Sequence, residues 1–337
     1  MKKYPLIDVF RFLCACLVIM IHCDGVDGNP ISHMIVTCFS RQAVPFFFIV
    51  SGFFFCRKLK STADPKSFVI GYAKRLILFY FIWAIISLPE VVQTYLALYK
   101  GSSPVYIALV IVRRVIFAGS GVYWYLLVTL EAALICGFLI IKKWEKLMYI
   151  IAAFGIVACF FYSADFDWFL VRQFNDLIYT VFSWSNNVFM LGIPFFAVGC
   201  FFTTLEGRIK LNTPSLCVAY FAVSAAGIVA FSLVYDKIAL YEKYFFLFPL
   251  QAVLLFMIGI SSKISIKDSI CSELRNISST VYCVHCFFIG YVLKAIWVNE
   301  FAPVWIGFLL PLTLSVVLYY IVKIIGFKPL FRLITLK

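Results

Sequence analysis

The chain has 337 residues, of which 64% are hydrophobic and 13% charged, and its mean hydropathy is +1.01. That balance excludes an ordinary soluble domain and points to helices crossing a bilayer; the apolar runs are continuous rather than alternating, which argues against a β-barrel. The formal charge of +13 does not indicate a nucleic-acid partner, because no basic patch with interleaved aromatics stands outside the apolar runs, and inner loops of membrane proteins collect Lys and Arg.

Met1-Lys2-Lys3 before an apolar stretch has the outline of a signal peptide. Asp8 and Arg11 interrupt the apolar core and no small-residue cleavage site follows, so the first segment, about 6–22, reads as a retained helix. It carries Arg11 and His22. Eleven positions make about three turns, so the two residues share a face and stand about 16 Å apart along it. Ionisable residues at membrane depth are costly and read as functional by default. Arg11 is placed either to pair with Asp8, three residues earlier, or to receive phosphates from the cytoplasm; the two agree if Asp8 positions Arg11. His22, at the outer end, suits a general base that takes a proton from a hydroxyl. Asp24 and Asp27 follow closely enough to orient it. The plainer alternative is a helix-end histidine bonded to a loop.

The second apolar segment, about 43–56, lies in the stretch Arg41–Phe53, RQAVPFFFIVSGF. Pro45 sits near a helix start, where its missing N–H costs little. Ser51 and Gly52 are small enough for another helix or a ligand to approach closely. Arg41 is expected outside, near His22, where a cation would stabilise an oxyanion or an anionic acceptor. Eight further segments follow, at about 69–89, 122–141, 147–163, 187–203, 215–235, 244–260, 278–297 and 304–325. The stretch 104–118 is apolar but carries Arg113 and Arg114, and reads as interfacial or re-entrant.

The longest outer loops are expected at about 90–121 and 164–186. The second holds Asp165, Asp167, Asp176, Trp168 and Trp184. Carboxylates beside aromatic faces suit sugars, and also an ordinary interfacial belt, which is the commoner case. In the ninth segment Tyr282 precedes His285 by three residues and shares its face; His285 either lines the same cavity as His22 or bonds between helices. The twelve cysteines are scattered and read as small apolar residues, a reading preferred over a Cys23–Cys38 disulfide on the outer side. The histidines at 22, 33 and 285 lack ligand-like spacing, so no metal is expected.

With the N-terminus in the cytoplasm, twenty basic residues fall in inner loops and termini and seven outside. The expected fold is therefore an all-α polytopic membrane helix bundle, a single domain over 1–337, with about ten transmembrane helices and both termini cytoplasmic.

At these residues the chain resembles the acyltransferase 3 family of bacterial integral membrane acyltransferases. Asp8 and Arg11 with His22 resemble its first-helix signature; Arg41 with Val44-Pro45-Phe46-Phe47-Phe48 and Ser51-Gly52-Phe53 resembles its second. Lys74-Arg75-Leu76 with Trp83, Trp124-Tyr125-Leu126, Phe195-Phe196 with Gly199, and Tyr282 with His285 resemble later elements, in order. Many members carry Trp-x-Leu-x-x-Glu, whereas Thr129 stands at the Glu position here and Glu131 falls on another face. That departure favours the shorter, single-domain branch.

The resemblance implies transfer of an acyl group, usually acetyl from acetyl-CoA, to a hydroxyl of a surface glycan or lipid-linked sugar, in a bacterial cytoplasmic membrane. It gives Arg11, His22 and Arg41 catalytic importance. On this reading Arg11, with Arg75 or Lys74, holds the donor's phosphates, and Asp24, Trp124, Tyr282 and His285 face the acceptor. His22 acts either as a general base or through a covalent acetyl-His intermediate. The competing expectation is a transporter or flippase for an anionic or amphipathic solute, with the same charged residues lining a pathway.

Overall fold

The computed structural model describes residues 3–23, 37–119, 121–164, 169–182, 186–206, 212–233, 247–293 and 304–337. Every regular element among them is helical. In chain order the α-helices are α1 (Pro5–Cys23), α2 (Ala43–Ser61), α3 (Pro65–Leu98), α4 (Pro104–Arg113), α5 (Trp124–Ile141), α6 (Glu145–Ala164) and α7 (Phe169–Phe182). They continue with α8 (Ile193–Leu205), α9 (Thr213–Leu233), α10 (Leu247–Ser261), α11 (Asp268–Phe287), α12 (Val304–Ile325) and α13 (Lys328–Thr335). Seven helical segments among the described residues are long and apolar enough to cross a membrane, and they begin at Pro5, Thr37, Pro65, Gly121, Val188, Thr213 and Ile306.

The other three expected segments are also helical, in α6, α10 and α11, but α11 differs from expectation. It begins ten residues early, at Asp268, because its first half carries Asp268, Glu273, Arg275 and Asn276 and pairs them with Lys3 ahead of α1 and with α1 and α12. Hydropathy registers only its second half. Segment 69–89 is likewise the middle of a 34-residue helix, α3. At about 1.5 Å per residue it is roughly 50 Å long, so it outreaches a hydrocarbon core of about 30 Å. The two expected outer loops are mostly helix, since 90–121 holds the end of α3 and all of α4, and 164–186 holds α7.

The chain divides into two compact units, 1–47 with 207–337, and 48–206. In the first, α1 packs chiefly on α11, and α11 also packs on α12 and α13. Ala15 and Ile19 of α1 meet Ile277 and Val281 of α11 and Tyr319 of α12, with Phe12, Phe308 and Phe331 packed around them. The i, i+4 spacing puts each pair on one stripe. Small residues bring the two backbones close, and the Ser278 hydroxyl donates to the Arg11 carbonyl at 3.0 Å. Lipid tails are as apolar as these side chains, so such close packing and interhelical bonds are what hold the pair together.

In the second unit α2 and α8 cross at glycines. A Cβ on Gly52 would stand 2.0 Å from the Phe196 carbonyl oxygen, and one on Gly199 would stand 2.0 Å from that of Ile49. The expectation that Ser51 and Gly52 admit a close neighbour is met by another helix. Further along the same pair, Cys56 and Cys200 form a disulfide and Arg57 pairs with Glu206 at 3.2 Å. Cys38 is a buried free thiol, in keeping with the reading of the cysteines as small apolar residues; the crossing of α2 and α8 selects which cysteines meet, and sequence spacing does not report it.

Gly199→Val is expected to be among the most damaging single changes in this unit. Its side chain meets backbone, which cannot rotate away, and overpacking of this kind costs about 1–3 kcal/mol or more. A thermal melt in detergent should show a clear drop for Gly199→Val and little change for Gly71→Ala, where a Cβ meets nothing within 4 Å.

Candidate active site

The first unit gathers the expected residues at the two ends of one helix. α1 is continuous from Pro5 to Cys23, so Arg11 and His22 are joined by unbroken helix and stand about 16 Å apart along it. Both of its ends meet α11.

At the first end Asp8 is buried and lies between two arginines. Its carboxylate is 2.5 Å from an Arg275 guanidinium nitrogen and 3.7 Å from one of Arg11. The nearer contact crosses from α1 to α11, and the farther is the i, i+3 pair that the sequence predicts. Among the described residues, one carboxylate facing two guanidinium groups leaves a net positive charge at this end. Lys3 pairs with Asp268, and Lys323 of α12 pairs with Glu273 at 2.6 Å. Sequence reading finds Arg11 but misses Arg275, whose pairing depends on the long-range fit of α1 to α11.

At the other end the His22 and His285 rings lie 5.2 Å apart, centroid to centroid. His285 is fully buried. Its Nδ1 lies 2.9 Å from the Val281 carbonyl oxygen and 3.0 Å from that of Tyr282. A carbonyl only accepts, so Nδ1 carries the proton and Nε2 keeps its lone pair. Nε2 lies 3.3 Å from the Cys286 sulfur, so the thiol donates to it. His22 is exposed. An accessible imidazole beside a buried, tautomerically fixed one can take up a proton from a bound hydroxyl while its neighbour holds a second polar group.

Arg41 is half-buried in the turn just before α2, in the same unit as His22. Its chain neighbour Gln42 is buried and donates through Nε2 to the Tyr220 hydroxyl at 2.7 Å. Tyr220 lies on α9, where Ser224, one turn on, accepts from Gln251 of α10 at 2.8 Å. These buried amide and hydroxyl bonds fix the entry of α2 against α9 and α10, and so the position of Arg41. Gln42 and Tyr220 escape sequence reading because a single amide or phenol in an apolar run carries no pattern.

The remaining expected residues are Tyr282, Asp24, Lys74, Arg75 and Trp124. Tyr282 is half-buried one turn before His285 and supplies a carbonyl to it. Asp24 lies outside the described residues. Lys74 and Arg75 are exposed on α3, with the Arg75 guanidinium 5.5 Å from the Tyr72 ring centre, and Trp124 is half-buried at the start of α5, near Phe48. These three belong to the second unit. There Tyr125 meets the Ser51 hydroxyl at 3.0 Å. Thr129 is buried and donates to the Tyr125 carbonyl at 2.6 Å, so the residue at the family's Glu position serves its own helix.

A family model described as an acyltransferase domain matches residues 4–321. Among curated proteins, the chain is similar to an amino-acid racemase of Enterococcus faecalis, 25% identical over 219 residues, which cover 62% of this chain and 29% of that protein. The chain thus spans less than a third of the length of that relative. No solved structure matches it.

Asp8→Asn should destabilise the protein, because Arg11 and Arg275 would then face each other without the carboxylate between them. Arg275 is 41% exposed, so solvent screening limits the loss to about 1–2 kcal/mol, below the range for a fully buried pair. Combining it with Arg275→Gln removes one of the two facing cations and should recover part of the melting temperature. An unchanged melt for Asp8→Asn would mean that the trio does not hold α1 to α11.

Proposed function

The chain belongs to the acyltransferase 3 family, and we propose that it is a membrane-bound O-acetyltransferase that moves acetyl from cytoplasmic acetyl-CoA to a hydroxyl of a surface carbohydrate or lipid-linked glycan. The observation that carries this reading is the single helix α1, with a net-positive cluster at one end and an accessible imidazole beside a second one at the other. The excess of Lys and Arg in alternate loops favours a cytoplasmic Arg11 end and an outer His22 end, in a bacterial cytoplasmic membrane.

Arg11, held by Asp8 and supported by Arg275, receives the donor's phosphates as charge-assisted hydrogen bonds. The pantetheine arm is an extended thread whose length is on the order of the 16 Å rise between Arg11 and His22. It therefore delivers the thioester to the His22 end while the nucleotide stays at the inner face. The acceptor hydroxyl enters from outside and gives its proton to His22. Its oxygen attacks the acetyl carbonyl, and the Arg41 charge stabilises the tetrahedral oxyanion. The carbon–sulfur bond then breaks, and CoA leaves as the thiol with the proton that His22 took. His285, with Nδ1 tied to backbone carbonyls, offers its Nε2 lone pair to a second acceptor hydroxyl and sets the acceptor's orientation. Direct transfer is preferred over an acetyl-His22 intermediate because the neighbouring ring and cation already serve the attacking oxygen.

Thiol release from acetyl-CoA by the purified protein, stimulated by a surface-glycan extract, tests this directly. His22→Ala is expected to lower release by about 10²–10⁴-fold, the usual worth of a general base, while its melting temperature stays near wild type. Near-normal release from a folded His22→Ala variant would overturn the assignment.

A further inference from the structure

Cys286 is the one member of the histidine cluster that the acyl-transfer chemistry leaves unused. The nitrogen and sulfur atoms of His22, His285 and Cys286 all lie within 4.8 Å of one another. Two of the three donors are already arranged as ligands. His285 donates its Nδ1 proton to backbone carbonyls, the outer-shell bond that metal-bound histidines almost always make, and its Nε2 lone pair points to the cluster. The Cys286 sulfur is 3.3 Å from that nitrogen, about the spacing of two neighbouring ligands on a tetrahedral zinc ion with bonds of about 2.0–2.3 Å. The farthest donor pair must close by about 1 Å to reach that geometry, and His22, which is accessible, can supply this by rotating its side chain. The same accessibility gives an ion its way in.

We infer that His22, His285 and Cys286 form a binding site for a divalent zinc ion, and that zinc there switches off acyl transfer. Two imidazoles and a thiolate select a borderline-soft ion such as Zn2+ over Mg2+ or Ca2+. Binding is balanced by release of the Cys286 thiol proton to solvent, leaving a thiolate on the metal. The switch follows because the Nε2 or Nδ1 lone pair that His22 gives to zinc is the one that would otherwise accept the acceptor's proton. Binding itself stands apart from the acetyl-transfer reading; the inhibition rests on it.

Cobalt is the probe that separates the two. Titration of the purified detergent-solubilised protein with Co2+ should give a thiolate-to-cobalt charge-transfer band that saturates near one equivalent and is displaced by Zn2+. The band should vanish in both Cys286→Ala and Cys286→Ser, so that a folding defect in one leaves the other informative. A band of equal strength in wild type and both variants, or no stoichiometric binding, would overturn the site. In the thiol-release assay both variants should keep basal activity and need at least tenfold more Zn2+ for half inhibition, the order of loss expected for a damaged metal site. Equal zinc sensitivity in wild type and variants would overturn the switch. If no protein releases thiol at all, the acetyl-transfer reading fails, while the cobalt band still decides the metal site.

Discussion

The contact between α1 and α11 is the constraint on which the candidate site depends. In a bilayer, apolar helices gain little from hiding from one another, so a helix pair must be fixed by shape and by polar bonds. Here both operate along one seam. Ala15 and Ile19 seat against Ile277 and Val281 in the middle, and the Ser278 hydroxyl ties the two backbones at Arg11. Asp8 joins the helices at one end through Arg275, and the two histidine rings face each other at the other. Sliding α11 by one turn, about 5.4 Å, would separate both pairs at once. The charged cluster and the histidine pair therefore share one register.

That coupling explains why the polar first half of α11 is needed. A purely apolar helix could rotate or slide against α1 at little cost, since lipid would replace each lost contact. Asp268, Glu273 and Arg275 each find a partner of opposite charge on another part of the same unit, and Asn276 meets the Tyr319 hydroxyl at 3.4 Å. The buried Asp8 carboxylate is costly when unpaired, so a register that strands it is penalised more strongly than the right one is rewarded, whereas the exposed Lys3–Asp268 pair adds little. The stabilising value of each pair is modest, and its value as a selector of register is larger.

The sequence made the helical character plain, because runs of about twenty apolar residues have few other solutions. It also made Arg11 and His22 legible as a pair, since both sit on one helix and need only the helical repeat to be placed. Arg41 was legible for a related reason: it opens a short, recognisable stretch at a helix start. What sequence could not place is whatever depends on two distant segments fitting together. Arg275 reads as one more basic residue until Asp8 is opposite it, Gln42 and Tyr220 are unremarkable until they touch, and Cys56 and Cys200 are two among twelve. The start of α11 was missed for a different reason: hydropathy finds lipid-facing surface, and this helix presents charge to other helices.

The histidine cluster carries the same lesson into chemistry. Spacing between 22, 33 and 285 argues against a metal, because ligand spacing is a property of short loops and single helices. His285 and Cys286 are adjacent in sequence, and adjacent residues on a helix point about 100° apart. They converge because the imidazole is long enough to swing its Nε2 toward the neighbouring sulfur while Nδ1 stays on the preceding turn's carbonyls. His22 then approaches from α1. The fixed tautomer of His285 is the decisive part: it directs a lone pair, rather than an N–H, toward whatever His22 faces. A hydroxyl proton and a metal ion both seek that lone pair, so the proposed acceptor site and the proposed zinc site draw on the same atoms.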